Sequence, residues 1–331
     1  DLARLSDPML ALAGLRGVII LDEIQRRPEL FPILRVLVDR PRRPARFIVL
    51  GSASPDLLRQ SSETLAGRIA YHELSGFSLR EVGARVLARL WLRGGLPPSY
   101  LARSDAKSFA WRQQYIRTFL ERDLPQLGIG LPAATLGRFW SMLAHYHGQT
   151  WNASEFGRAF GVADHTVRRY LDTLTQTFMV RQLLAWVENV GKRQVRAPKI
   201  YLTDSGLLHA LLDIRDRDGL ERHPKVGASW EGFAMGQVIG RLGVDARECF
   251  SWGTHQGAGL DLLVVRGGKR LGFEFKRTTA PFVTRSMHIA MQDLGLTHLD
   301  VIYLGDTTFS LARNIRAVAG KRIGLDLQPL K

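Results

Sequence analysis

Residues 260–276 read Leu260-Asp261-Leu262-Leu263-Val264-Val265-Arg266-Gly267-Gly268-Lys269-Arg270-Leu271-Gly272-Phe273-Glu274-Phe275-Lys276. Two strand-like runs flank Gly267-Gly268, a favoured two-residue hairpin loop, so this segment predicts an antiparallel β-hairpin. If Arg266 faces Lys269, then Asp261 lies opposite Glu274, and Lys276 points to the same face because strand side chains alternate. The hairpin therefore places two carboxylates side by side, with an ammonium group next to them.

The two carboxylates need a counter-ion, because like charges placed opposite each other destabilise an antiparallel strand pair. A divalent cation held by Asp261 and Glu274 would remove the repulsion, and Mg²⁺ or Mn²⁺ suits an oxygen-rich site with few protein ligands. Lys276 would then stabilise a hydroxide nucleophile or a pentavalent phosphate. The alternative is that Lys276 only screens the two acids.

The elements around the hairpin are predicted in the order helix, three strands, helix, strand. Glu231 lies near the first turn of the preceding helix and would supply a third carboxylate. That helix turns Phe233, Ala234, Val238, Ile239 and Leu242 towards the core. After the hairpin, a helical stretch covers residues 285–294 and a strand covers residues 299–304.

This order, together with Glu231, Asp261, Glu274 and Lys276, resembles the PD-(D/E)xK restriction-endonuclease-like superfamily. The resemblance implies metal-dependent phosphodiester hydrolysis, with the three acids as metal ligands and all four residues as catalytic residues. Gly259-Leu260 precedes Asp261 where the superfamily name has proline, which is a mild departure. A nuclease fold that has lost its activity and is kept for packing or DNA contact is the alternative.

A helix, a tight turn and a second helix are predicted from Asn152 onwards. Asn152 and Glu155 have the spacing of an N-cap and its reciprocal acid, and this first helix ends near Gly161. Asp164 caps the second helix, whose buried face has the i, i+3, i+4, i+7 spacing. That buried face consists of Val167, Tyr170, Leu171 and Leu174, and the opposite polar face consists of His165, Thr166, Arg168, Arg169 and Thr173.

Two strand-like runs follow at residues 178–186 and 199–202, separated by a loop that carries Lys192, Arg193 and Arg196. Helix, turn, helix and basic hairpin together predict a winged helix. Such a module would bind DNA through Arg168 and Arg169 on the second helix and through the basic loop. The alternative is a winged helix that packs against a neighbouring domain and does not touch DNA.

Near the beginning of the chain, Val18-Ile19-Ile20-Leu21-Asp22-Glu23 is an apolar run that ends in two acids. It predicts a strand of a parallel sheet that is buried on both faces. A second strand at residues 47–50 ends in Gly51-Ser52-Ala53-Ser54, and ligands bind at such carboxyl ends. In P-loop nucleotide hydrolases, acids like Asp22 and Glu23 hold magnesium and polarise the attacking water.

The phosphate-binding motif G-x-x-x-x-G-K-[ST] does not occur in the 331 residues. Gly191-Lys192, Gly268-Lys269 and Gly320-Lys321 are each followed by Arg and lack the leading glycine. The chain starts at Asp1, and we expect it to be a fragment whose ATP site is completed by an upstream segment. The alternative is that Asp22 and Glu23 only terminate a core strand.

Several segments along nearly the whole chain resemble a prokaryotic AAA-type ATPase family with a C-terminal domain of unknown function 4143. These segments are residues 18–25, 51–54, 65–68, 77–81, 115–123 and 199–207. The resemblance implies ATP binding through Asp22, Glu23, Ser52 and Arg68, with Asp22 as magnesium ligand and Glu23 as catalytic acid. In this family the winged helix often packs against the nucleotide domain.

The composition favours a cytoplasmic protein with a polyanionic partner. Lys and Arg number 46 against 31 acids, so the net charge is +15, and nucleic acid is the leading candidate partner. The alternative is that the surplus charge is an ordinary solvated surface, because the basic residues are dispersed along the chain. Cys249 is the single cysteine, which excludes an intramolecular disulfide. No apolar stretch approaches the roughly 20 residues of a membrane span, so we expect no membrane partner.

We therefore predict an α/β multidomain protein. Residues 1–85 are the C-terminal half of an AAA-type ATPase domain, 86–147 a helical connector, 148–215 a winged helix and 216–331 a nuclease-like domain. The predicted function is metal-dependent phosphodiester hydrolysis on DNA, in a protein that binds ATP and is compatible with a homo-oligomer. The alternative is a DNA-binding switch or regulator, controlled by ATP, whose nuclease fold is catalytically silent.

Overall fold

The computed structural model describes residues 6–41, 45–51, 65–187 and 195–330. The helices are α1 Pro8–Ala13, α2 Leu30–Val38, α3 Leu79–Val82, α4 Leu87–Arg93, α5 Pro97–Tyr100, α6 Asp105–Thr118, α7 Leu124–Gln126, α8 Ala133–His145, α9 Ala153–Phe160, α10 Asp164–Gln176, α11 Ser205–Leu211, α12 Arg217–Arg222, α13 Val226–Leu242, α14 Arg285–Asp293 and α15 Ile323–Asp326. The strands are β1 Gly17–Leu21, β2 Ala45–Val49, β3 Gln149–Thr150, β4 Val180–Ala185, β5 Lys199–Leu202, β6 Cys249–Gly253, β7 Gly259–Arg266, β8 Lys269–Lys276, β9 His298–Tyr303, β10 Phe309–Ala312 and β11 Ile315–Ala319. Short 3₁₀ turns and one π-helical turn at Phe119–Asp123 join some of these elements.

The chain divides into two compact units. The first comprises residues 1–74, 123–130 and 176–178, and the second comprises 75–122, 131–175 and 179–331. The mixed α/β content confirms the predicted fold class at this level, and the four-domain division stays a prediction.

In the first unit, β1 and β2 pair in parallel, as expected for an α/β domain. Ile24, Leu30, Phe31, Leu34 and Leu65 form a buried core against one face of these strands. On the other face, Val18 and Ile20 are each 61% exposed. The prediction that this strand is buried on both faces is wrong for the described residues, because α2 and the turn at Leu65 cover one face only.

In the second unit, the described strands form a nine-stranded mixed sheet in the order β10-β11-β9-β8-β7-β6-β4-β5-β3. The hairpin of β7 and β8 has the predicted register, since Arg266 pairs with Lys269 and Leu262 pairs with Phe273. Gly267 and Gly268 have φ values of +57° and +76°, which a type I′ turn requires at both central positions. Asp261 and Glu274, the next residues along each strand, therefore face each other.

The elements before and after this hairpin follow the predicted order. Helix α13 precedes β6, β7 and β8, and α14 and β9 follow them. Strand β9 pairs in parallel with β8, the strand that carries Glu274 and Lys276, so the two strands run in the same direction. Glu231 is the sixth residue of α13 and lies in its second turn, next to the first turn near which it was predicted.

The two helices predicted from Asn152 are also present. The Asn152 side chain accepts a hydrogen bond from the Glu155 N–H and caps α9, and Gly161 ends that helix with a φ of +64°. Helix α10 begins at Asp164, and all four predicted core residues of α10 are buried. Thr173, predicted on the polar face, is buried because it lies one turn after Tyr170, and its hydroxyl donates to the Arg169 carbonyl.

The strand pair that follows α10 is continuous with the C-terminal sheet. Strand β4 pairs antiparallel with β5 and also pairs in parallel with β6, where Leu184 faces Phe250. This shared strand fixes β5 relative to β7 and β8. The loop residues Lys192 and Arg193 lie outside the described residues.

The helices predicted between residues 86 and 147 are confirmed, and a buried arginine ties them to α11. The Arg112 guanidinium on α6 donates to the carbonyls of Leu92, Ser108 and Gly206. Burial lowers the pKa of Arg112 to about 10. Gly206 has no room for a side chain, because a Cβ there would lie 2.1 Å from the Arg93 carbonyl oxygen.

No helix in the described ranges is both long and apolar enough to cross a bilayer.

Two buried histidines make the stability of the second unit depend on pH. His147 Nδ1 accepts a hydrogen bond from the Leu202 N–H, and His209 contacts the Leu92 carbonyl and the Ser229 hydroxyl. Burial lowers the pKa of both histidines to about 3. Because the unfolded chain binds protons at a pKa near 6.5 and the folded chain does not, stability is lost as the pH falls from about 6.5 towards 3.

We expect His147→Asn to reduce this acid sensitivity, because Asn Oδ1 can still accept from Leu202 but does not titrate. The loss of unfolding free energy between pH 7 and pH 5 should be smaller by about 2 kcal/mol than in the wild type. Urea unfolding at both pH values measures it, with His288→Asn at an exposed position as the control. An unchanged pH dependence in His147→Asn would contradict the assignment.

Candidate functional site

The structure brings the four predicted nuclease-site residues together on one side of the large sheet. Lys276 Nζ lies 2.6 Å from Glu274 Oε2 and 3.8 Å from Asp261 Oδ2. Asp261 Oδ2 also accepts a hydrogen bond from the Phe275 N–H at 3.1 Å. Asp261 and Glu274 thus share one ammonium group across the hairpin, as the register predicts.

Two residues of β5 that the sequence reasoning missed complete this cluster. Lys199 Nζ lies 3.2 Å from Asp261 Oδ1 and 3.4 Å from Glu231 Oε1. The Tyr201 hydroxyl donates to the same Glu231 oxygen at 2.5 Å. Lys199 and Tyr201 alternate with the buried Ile200, so both point to one face. Two polar residues at alternate positions of a short strand were the signal in the sequence.

We call Lys199, Tyr201, Glu231, Asp261, Glu274 and Lys276 the carboxylate cluster. Lys199 bridges Glu231 and Asp261, and Lys276 bridges Asp261 and Glu274, so the five charges alternate in sign. The cluster is partly open to solvent, because the Lys276 side chain is 42% exposed whereas that of Glu274 is 7% exposed. Lys276 therefore lies on the solvent-facing side of the cluster.

Burial and the neighbouring charge of Asp261 make two acids of the cluster, Glu231 and Glu274, easier to protonate. Burial and the charge of Asp261 raise the pKa of Glu274 to about 7. The same two causes raise the pKa of Glu231. Burial alone would lower the pKa of Lys199, but the charges of Asp261 and Glu231 outweigh it and raise that pKa above its ordinary value.

The carboxylate oxygens are hard donors of the kind that Mg²⁺ and Mn²⁺ prefer, so their chemistry fits the predicted metal. Across the described residues, however, no three acids, histidines or cysteines are arranged to hold a metal ion. The ammonium groups of Lys199 and Lys276 lie between the carboxylates instead. The repulsion predicted at the hairpin is thus compensated by lysines, and the metal stays a prediction.

In the first unit, the two acids that follow β1 are exposed. Asp22 Oδ1 accepts a hydrogen bond from the Glu23 N–H at 2.8 Å. Glu23 has a φ of +54°, a left-handed conformation that is uncommon for a residue other than glycine and occurs more often at functional sites. Two exposed carboxylates at a strand end fit the magnesium side of a nucleotide site.

Arg68 and Ser52 are the other two residues predicted for the ATP site. Arg68 forms an ion pair with Asp39, with 2.7 Å between Nε and Oδ1, and its Nη1 donates to the Ala66 carbonyl. Ser52 lies outside the described residues.

The predicted nucleic-acid face of α10 is exposed at His165, Arg168 and Arg169. Arg196, at the end of the loop after β4, is exposed as well. These side chains lie outside the protein core.

A second buried polar cluster lies beside a cavity of about 320 Å³ that is lined in part by Leu242, Leu271 and Phe273. Asp300 accepts hydrogen bonds from His298 and Arg316. Burial alone would raise the pKa of Asp300, but these two partners lower it. Leu271 and Phe273 point away from the face of Glu274 because side chains alternate, so the cavity is separate from the carboxylate cluster.

We expect Lys199→Met to lower the free energy of unfolding by about 3 kcal/mol at pH 8, because Glu231 and Asp261 lose the ammonium group between them. Urea unfolding measures the change. Lys269→Met in the exposed hairpin turn is the matched control and should stay within about 0.5 kcal/mol of the wild type. Equal midpoints for both variants would show that the Lys199 ion pairs do not stabilise the fold.

Three protein-family models match consecutive parts of the chain. An AAA domain matches residues 3–83, a Domain of unknown function (DUF8612) matches 84–218, and a Domain of unknown function (DUF4143) matches 226–321. Lys199 and Tyr201 lie in the second match, and the three acids and Lys276 lie in the third. The carboxylate cluster is therefore built from two family domains.

Similarity over nearly the whole of this chain extends to mycobacterial proteins. Uncharacterized proteins of Mycobacterium tuberculosis and Mycobacterium bovis are each 56% identical over 323 residues, which is 98% of this chain and 73% of each relative. Among solved structures, protein VC1899 from Vibrio cholerae aligns over 98% of this chain and 93% of that chain, with 14% identity and a TM-score of 0.21. So low a score supports no conclusion about the fold.

Proposed function

Because the chain belongs to the family of AAA-domain proteins with a C-terminal Domain of unknown function (DUF4143), we propose that it joins an ATPase-type domain to a metal-dependent phosphodiesterase acting on DNA. The observation that carries the proposal is the convergence of Glu231, Asp261, Glu274 and Lys276 on one face of the sheet. The element order from α13 to β9 supports a nuclease-like domain around them.

In this site Asp261 and Glu274 would hold Mg²⁺ or Mn²⁺, and Glu231 would add a third ligand directly or through water. The bound metal would supply Lewis acidity and lower the pKa of an attacking water. Tyr201 holds Glu231 in place through its hydroxyl. Lys276 is the more exposed ammonium group and would stabilise the negative charge that develops on the phosphate.

For the nucleotide site we propose that Asp22 holds Mg²⁺ and that Glu23 polarises the attacking water during ATP hydrolysis. Ser52 would contact the phosphate and Arg68 the nucleotide. These roles need a phosphate-binding loop, a motif that residues 1–331 do not contain. Since AAA domains often assemble, a homo-oligomer is part of the proposal.

The DNA would be bound by the winged helix through Arg168 and Arg169, with Lys192 and Arg193 in the wing. The exposure of α10 and the net charge of +15 support this role. Contacts to phosphates would give affinity that falls steeply with salt.

The second candidate is a DNA-binding switch or regulator, controlled by ATP, whose nuclease fold is catalytically silent. The ion pairs of Lys199 and Lys276 favour it, because they already neutralise most of the acid charge without a metal. Cleavage assays separate the two candidates.

We expect the protein to nick plasmid DNA in the presence of Mn²⁺ and to lose this activity with a chelator. Asp261→Asn should reduce the cleavage rate at least 100-fold, because Asp261 is the acid shared by both halves of the cluster. Gel electrophoresis of the plasmid measures the rate. Asp306→Asn, at a highly exposed acid outside the cluster, should cleave like the wild type. Absence of wild-type cleavage across metals and substrates would favour the switch.

We expect Arg168→Ala and Arg169→Ala each to weaken DNA binding and to reduce the slope of log affinity against log salt by about 1. Fluorescence anisotropy with a labelled duplex at several KCl concentrations measures both quantities. Arg215→Ala removes an exposed charge outside α10 and serves as the control. Equal slopes for the three variants would contradict the assignment of α10 to DNA.

A further inference from the structure

Lys199 lies where a cation bridging Glu231 and Asp261 would have to lie. Its Nζ atom is within 3.4 Å of an oxygen of each acid. We propose that Lys199 is an internal counter-ion that competes with the divalent metal, so that the carboxylate cluster loads metal only when the Lys199 side chain withdraws. This inference rests on the proposed function, because it concerns the same metal in the arrangement in which Glu231 is a direct ligand.

Electrostatics makes the two cations exclusive. Mg²⁺ binds carboxylate oxygens at about 2.0 to 2.1 Å, much closer than the 3.2 and 3.4 Å between Lys199 Nζ and its two acids. A metal bound to Glu231 and Asp261 would therefore lie within a few ångströms of the ammonium group. Two positive charges at that separation repel strongly in a partly buried site. Lys199 is the cation that has to leave, because it contacts both of these acids, whereas Lys276 contacts only Asp261 of the two, at 3.8 Å.

Lys199 and Lys276 differ in the strand that carries them and in the exposed fraction of their side chains. Lys276 is attached to β8 beside its partner Glu274 and has a side chain that is 42% exposed. Lys199 reaches the acids from β5, whose backbone is fixed by pairing with β3 and β4, and its side chain is 23% exposed. Withdrawal of Lys199 would therefore be a rotation of its side chain, with β5 remaining in place.

The competition also explains why the acids form no ready metal site. Lys199 removes the repulsion between Glu231 and Asp261 that would otherwise favour metal binding. Lys199 thus stabilises the metal-free site and lowers its affinity for metal. The wild type should therefore bind Mn²⁺ weakly. Because Lys199 belongs to the family domain that precedes the acids, that domain sets the metal affinity of the next one.

The test is Mn²⁺ binding, measured by electron paramagnetic resonance of free Mn²⁺ with the full chain. Lys199→Gln should bind Mn²⁺ at least tenfold more tightly than the wild type, and the double variant Lys199→Gln with Asp261→Asn should lose this gain. Lys269→Gln in the exposed turn removes the same charge outside the cluster and should bind like the wild type.

The outcomes separate this inference from the proposed function. If the wild type and Lys199→Gln bind Mn²⁺ equally well, and Asp261→Asn abolishes binding, the competition is wrong and the metal site stands. If neither protein binds Mn²⁺ in the cluster, both the inference and the metal-dependent function are wrong.

A second measurement uses the wild type alone, so that it does not depend on the folding of a variant. Reductive methylation followed by mass spectrometry reports how accessible each lysine ammonium group is. Mn²⁺ should increase the methylation of Lys199 relative to Lys269 severalfold, because metal binding frees its ammonium group. Methylation of Lys199 that is unchanged at saturating Mn²⁺ would overturn the proposal.

Discussion

Three carboxylates held close together in a partly buried site constrain the C-terminal part of this protein more than any other feature. Glu231, Asp261 and Glu274 come from a helix and two strands, and each would repel the next without a cation between them. Lys199 and Lys276 supply those cations. Buried ion pairs of this kind contribute little net stability compared with apolar contacts, but removing one partner is costly. The arrangement therefore has to be kept complete.

The sheet makes this arrangement possible, because it joins strands that are far apart in the chain. Strand β4 pairs with β5 on one side and with β6 on the other, which carries the strands after α10 into the same sheet as the hairpin. Lys199 and Tyr201 consequently reach acids that lie 30 to 62 residues away along the chain. The β4–β6 pairing thus makes the strands after α10 and the C-terminal strands one continuous sheet.

The sequence predicts the local parts of this architecture well and the non-local parts poorly. The Gly267-Gly268 turn sets the register of the hairpin, so the pairing of Asp261 with Glu274 follows from counting residues. The place of Lys199 depends on the pairing of β4 with β6, which no local pattern indicates. Similarly, the apolar run that forms β1 does not indicate which face of the strand packs against the core and which face is exposed. Thr173 was predicted on the polar face, but it can be buried because its hydroxyl donates a hydrogen bond to the Arg169 carbonyl of the same helix.

The position of Lys199 and Tyr201 in one family domain, with their acidic partners in the next, restricts how this chain can be rearranged. A recombination event that exchanged either domain for an unrelated one would leave acids without lysine or lysine without acids. The two domains are thus expected to be inherited as one unit. For the same reason, an excised C-terminal domain is a poor surrogate for the intact protein in crystallisation or inhibitor screening.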